Sequence, residues 1–171
     1  MASVASKVDA FDSDSRLDFI IGSSHLVNGD DPYYPEFWEY SDVKTAILSY
    51  YESIIDNLNT CHNFDVYGHI DYIARYIPKD RISEYKEKDF YDILDAILHT
   101  IITNGKGIEL NTAGLRYSTA QTNPSPFILR RYRELGGEII TVGSDAHAPE
   151  YLAYSFDRIP VILKEAGFRY Y

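Results

Sequence analysis

Apolar positions along the chain follow two rhythms. Short apolar runs at residues 17–22, 64–68, 107–111 and 138–143 read as strands, each followed by a polar loop. Between them the apolar residues return every three or four positions, the repeat of one helix face. Tyr40, Val43, Ile47, Tyr51, Ile54 and Leu58 predict a long helix over residues 36–58. Phe90, Leu94, Ile97 and Ile101 predict a second, stopped by Asn104-Gly105. Ser125-Pro126 opens a third as N-cap and first helical residue, with Ile128, Tyr132 and Leu135 on its apolar face and Gly136-Gly137 at its end. A fourth begins near Asp157, carries Ile159, Ile162, Leu163 and Ala166, and stops at Gly167, leaving residues 168–171 for a short last strand. Strands alternating with helices in this way predict an α/β fold of parallel strands with covering helices.

The 171 residues suffice for one domain with a real core, taken as 17–171 behind a polar tail at 1–16. A full eight-unit barrel takes about 250 residues, so four units make either a small open sheet or part of a barrel. A formal charge of −10 argues against a nucleic-acid partner, because binding phosphate backbones needs a basic surface. One cysteine excludes a disulfide framework and a cysteine-rich zinc cluster. With no apolar run approaching the roughly 18 residues that span a bilayer, and acids where a leader needs an apolar stretch, the expectation is a cytoplasmic protein away from membranes.

Each strand runs into a polar cluster: Ser23-Ser24-His25, His69-Ile70-Asp71, residues 111–116 ending in Arg116, and Ser144-Asp145-Ala146-His147. Parallel strands place these ends on one side of the sheet, where α/β active sites lie. His25, His69, Asp145 and His147 therefore converge, and imidazole with carboxylate is a donor set for Zn, Mn or Fe. His62 lies at the opposite end and His99 on an outer helix face, so neither joins them. Arg116 adds a planar fork suited to phosphate or carboxylate. No Gly-rich phosphate loop follows any strand, and Gly-x-Ser-x-Gly is absent. Asp65 and Glu109, inside strands, receive no role.

Residues 18–25, Gly68-His69-Ile70-Asp71, residues 109–116 and Gly143-Ser144-Asp145-Ala146-His147 resemble, in order and spacing, successive motifs of the PHP (polymerase and histidinol phosphatase) family, in its histidinol-phosphatase branch. The resemblance implies a metal-dependent phosphomonoesterase on a distorted (β/α)7 barrel with up to three divalent metals. His25 and His69 would then be ligands of one metal, Asp145 of a second and His147 of a third, with Asp145 and His147 also catalytic. Arg116 would hold the substrate phosphate, and Asp71 would stand behind the ligands. The family's opening His-x-His strand and bridging Glu have no counterpart here. The resemblance thus implies the C-terminal portion of a barrel, with metals held weakly and open sheet edges prone to self-association.

The expected reaction is hydrolysis of L-histidinol phosphate to L-histidinol and phosphate, in histidine biosynthesis. The alternatives are a non-catalytic fragment, a chain completed by a partner, and a phosphoesterase acting on another small phosphate.

Overall fold

The structure is a computed structural model that describes Asp14 and residues 16–170. Most of the expected tail, residues 1–13 and 15, lies outside the described residues, as does Tyr171.

Four strands form one parallel sheet in the order β1 (Ile21–Gly22), β2 (Val66–Tyr67), β3 (Gly107–Asn111) and β4 (Ile140–Gly143). Ile21 pairs with Val66, Tyr67 with Ile108, and Ile108 to Asn111 run in register with Ile140 to Gly143. The crossovers carry α1 (Val43–Thr60), α2 (Tyr91–Thr103) and α3 (Pro126–Glu134), and α4 (Ile159–Glu165) follows β4. The expected parallel α/β architecture is therefore present. Among the described residues β1 and β4 each pair on one side only, so the sheet is open at both edges.

Local chemistry explains the helix ends. The predicted start at residue 36 is corrected: Pro35–Trp38 is a separate 3-10 turn, and α1 begins behind Asp42. The Asp42 carboxylate accepts hydrogen bonds from the Thr45 backbone N–H (2.9 Å) and hydroxyl (2.8 Å), satisfying a donor the first helical turn leaves open. Tyr40, which fits the periodicity, lies outside the helix and is 85% exposed. In α3 the Ser125 hydroxyl caps the Ile128 N–H and Pro126 occupies the first turn, as the sequence predicts. Gly136 and Gly167 follow α3 and α4 at φ +95°, the left-handed conformation that a residue without Cβ adopts freely.

The core is the set of helix faces turned to the sheet. Ile47, Tyr50, Tyr51 and Ile54 of α1, Leu94, Ile97, Leu98 and Ile101 of α2, and Ile128, Leu129 and Tyr132 of α3 are all buried. β3, central in the sheet, is buried along its whole length, whereas β4 is half-buried. The expected first strand at 17–22 shrinks to two residues, because Leu17 and Phe19 at the open edge are exposed. The expected last strand is absent among the described residues; Phe168 instead stacks on Tyr132, ring centres 6.4 Å apart. Cys61 is half-buried. No helix of the described residues is long and apolar enough to cross a membrane.

Candidate active site

The loops after the four strands enclose a cavity of about 320 Å³. Its lining includes His25, Arg116, Asp145 and His147. Four of the five residues singled out from the sequence thus meet at one opening. The fifth, His69, lies directly behind, with its ring edge-on to that of His25 at 5.0 Å between centres. Tyr72, Tyr76, Tyr117 and Tyr151 complete much of the wall.

Two of these residues have backbones that ordinary side chains avoid. His69 has φ +26° and Asp145 has φ +48°, each two residues past the end of its strand. Such conformations cost about 1–3 kcal/mol and persist where the surroundings over-determine them. His69 is buried, its Nδ1 has no hydrogen-bond partner, and burial pulls its pKa down to about 3, so the ring is neutral and keeps an open lone pair. Burial also lowers the His25 pKa, against the attraction of Asp145. The Nδ1 of His147 lies 3.0 Å from the Asp145 backbone carbonyl. A carbonyl only accepts, so Nδ1 donates there and Nε2 of the exposed ring is the free nitrogen.

Asp145 is tied to a residue that the sequence analysis did not weigh. Arg75, in the turn Tyr72–Tyr76 after β2, is almost wholly buried and donates from Nη1 to Asp145 Oδ2 at 2.9 Å. Burial would raise the Asp145 pKa, but the hydrogen bond and charge of Arg75 outweigh it and hold the carboxyl below its ordinary value. Arg75 Nε donates to Asn123 Oδ1 at 2.6 Å, while its Nη2 is buried without a partner. The guanidinium rests over Tyr72 and Tyr117, 5.3 and 5.5 Å from the ring centres. Arg116 matches it from the next strand end, stacked on Tyr151 at 4.0 Å, and its Nε is also buried and unpartnered.

Glu109, which received no role from the sequence, lies close enough to feel the charge of Asp145. It is buried in β3, with its carboxylate against Gly68 and Gly143; a Cβ at Gly143 would collide with it. Burial raises its pKa, and the charge of Asp145 adds to the rise. An isolated acid between Ile108 and Leu110 was the available signal, since a strand buried on both faces gives an inward carboxylate a job at its polar end.

The donor types around the cavity suit a divalent cation, and the orphaned Nδ1 of His69 is the kind of atom one would satisfy. However, no three His, Cys, Asp or Glu side chains among the described residues form a group that could hold a metal ion. Asp145 faces Arg75 instead. The residues present fall short of a complete metal site.

The chain is similar to several known proteins. The chain is 34% identical over 142 residues to the probable histidinol-phosphatase of Clostridium acetobutylicum, covering 82% of this chain and 54% of that protein. It is 29% identical over 166 residues to the histidinol-phosphatase of Lactococcus lactis, covering 95% and 60% respectively. The chain spans about half the length of the curated relatives it matches. The crystal structure of the Lactococcus histidinol phosphate phosphatase, complexed with zinc, L-histidinol and phosphate, superimposes with a TM-score of 0.84 at 26% identity, covering 99% of this chain and 64% of that one. The crystal structure of the protein named hisK from Listeria monocytogenes, at 18% identity and a TM-score of 0.74 over 91% of this chain and 62% of that one, shares the fold. The architecture is accordingly that of a distorted PHP barrel, of which these four strands form a part. The family model for the PHP domain matches residues 6–113, more than half of the sequence, and the chain belongs to the PHP domain family.

Proposed function

We propose that this chain forms the phosphate-binding side of a histidinol-phosphatase-type active site, whose reaction is L-histidinol phosphate plus water to L-histidinol plus phosphate. The carrying observation is the pair of arginines at one cavity. Arg75 and Arg116 each keep a buried N–H without a partner, and both line the opening that holds His25, Asp145 and His147. Buried donors left unpaired cost about 1–3 kcal/mol each, a cost an anion in the cavity would remove. Planar guanidinium groups suit a phosphate's oxygens and neutralise the charge that develops as the ester bond breaks. Zinc, L-histidinol and phosphate in the Lactococcus enzyme support this choice of ester.

His25, His69, Asp145 and His147 are the donors this chain would bring to a divalent metal, with Zn, Mn and Fe as alternatives and up to three ions in the intact family. When bound, such a metal supplies Lewis acidity and hydroxide near neutral pH. Asp145 and His147 are the candidates for moving the leaving-group proton. His147 is the better placed, because Arg75 holds Asp145 as a carboxylate. The open edges at β1 and β4, with Phe19, Ile21 and Ile139 about half exposed, favour self-association. A cytoplasmic location belongs to the same proposal.

A second reading is a chain that binds the phosphate ester without turning it over, favoured by the absence of a metal-holding group of three among the described residues. Metal content by elemental mass spectrometry, followed by phosphate release from L-histidinol phosphate, separates the two. Retained metal with turnover that falls in Arg116→Met supports the hydrolase. Phosphate binding without metal or turnover supports the second reading. Failure to bind either the ester or inorganic phosphate rejects both.

A further inference from the structure

Two buried residues behind the cavity have no part in the chemistry above. Asp71, just past β2, uses both carboxylate oxygens: Oδ1 accepts from Asn123 Nδ2 at 2.6 Å, and Oδ2 from the Ser125 backbone N–H at 2.9 Å. Asn123 passes the interaction on, because its Oδ1 accepts from Arg75 Nε. We propose that Asp71 is a positioning residue, which sets the direction of the Asn123 side-chain amide and through it holds the Arg75 guanidinium in place at the cavity.

The argument rests on the polarity of an amide. One end of the Asn123 side chain donates and the other accepts, and the two differ by a half-turn. A carboxylate accepts only, so Asp71 compels the NH2 end to face it. That leaves the carbonyl end for Arg75, whose nitrogens donate only. With an apolar residue at 71 only Arg75 would select the amide's orientation, and its NH2 end would lie without a partner; with Asp71 both ends are satisfied in the same orientation. The backbone of Asn123 cannot drift to compensate, because it is bound in both directions to Asn111, at 2.7 and 2.9 Å. On the other side Gly114 leaves no room: a Cβ there would collide with Asn123 Oδ1.

Asn123 on Nε and Asp145 on Nη1 fix two nitrogens of a planar group. The third, Nη2, then has one direction in which to point. Asn123 and Asp145, which bind the guanidinium, come from the segments after β3 and β4, while Asp71 caps the turn that carries Arg75, so the arginine is set by the assembled site together with its own turn. What Arg75 holds there rests on the phosphate reading above; how Arg75 is held does not.

The test exchanges the polarity of the pair, using the full chain. Asp71→Asn is isosteric, but its NH2 must face either the Asn123 NH2 or the Ser125 N–H. Asn123→Asp sets one carboxylate against another. In the double variant Asp71→Asn/Asn123→Asp all three bonds can re-form: Ser125 donates to the new amide at 71, that amide donates to the new carboxylate at 123, and the carboxylate accepts from Arg75 Nε. Only the weaker 3.3 Å contact from Asn123 Nδ2 to the Asp71 carbonyl is lost.

Two readouts apply: hydrogen exchange of the Arg75 Nε–H by 15N NMR, and the Kd for inorganic phosphate by calorimetry. Each single variant should speed Nε–H exchange and weaken phosphate binding roughly tenfold, the scale of one hydrogen bond to a charged group. The double variant should return to within about threefold of wild type. Unchanged Nε–H exchange in Asp71→Asn overturns the proposal, as does a double variant no better than the singles, including one that fails to fold. If wild type ignores phosphate while Nε–H exchange follows the exchange of polarity, the positioning role stands and the phosphate reading of the cavity falls.

Discussion

Replacing Arg75 by methionine should cost about 2–4 kcal/mol of stability. The side chain is 1% exposed, and a thioether of similar length fills most of its space. Two groups lose their partner. Asn123 Oδ1, buried and already out of water, is left unsatisfied at about 1–3 kcal/mol. Asp145 loses its counter-charge, which for a fully buried pair costs about 3–5 kcal/mol. Its side chain is 29% exposed, however, so water re-solvates it and the loss falls to about 1 kcal/mol. At this chain length each kcal/mol moves the melting temperature by about 2–4 °C, giving a fall of about 4–16 °C. Urea unfolding followed by circular dichroism measures the free energy directly. The double variant Arg75→Met/Asp145→Asn should recover part of the loss, because no uncompensated charge remains. An Arg75→Met chain as stable as wild type, or a double variant showing the plain sum of its singles, would refute the reasoning.

Three further outcomes are expected. Burial holds His69 neutral, with a pKa of about 3 against 6.5 for an ordinary histidine. Between those values the unfolded chain binds a proton that the folded chain does not, so stability should rise with pH from 3 to 6.5 and be lost on acidification. Asp71, pushed up to about 6 by burial from an ordinary 3.8, opposes this over its own window. Urea midpoints at pH 5 and 7 should therefore diverge less in His69→Gln than in Asp71→Asn, and the reverse order would contradict the assignment. Leu98→Ala, at a fully buried position of α2, should cost about 3 kcal/mol through the cavity it leaves, measured by the same urea titration. Light scattering on a sizing column should give a mass above the 19.6 kDa of one chain, and Phe19→Lys with Ile139→Lys at the two open edges should restore that mass. A wild-type chain that elutes as a monomer would remove the case for edge pairing.

What could be read from the sequence was decided by neighbours a few positions apart. The third helix begins at Ser125-Pro126 because a hydroxyl cap and a proline act within one turn. β3 matches its expected span of 107–111 because its residues suit burial on both faces. The strand-end clusters were legible for a similar reason: parallel order alone brings His25, Arg116, Asp145 and His147 to one cavity. Periodicity misplaced the start of α1, where Tyr40 keeps the rhythm but Asp42 supplies the cap. The tertiary structure alone decided where Arg75, Asn123 and Glu109 lie and what they touch. Arg75 meets Asn123 across 48 positions and Asp145 across 70, and no local pattern marks an arginine whose partners lie so far along the chain. Glu109 reads as one acid inside an apolar strand until folding sets its carboxylate against Gly68 and Gly143. Backbone periodicity and capping are short-range forces and leave a local imprint. The pairing of buried charges depends on which strand ends become neighbours, and that is settled only when the sheet is assembled.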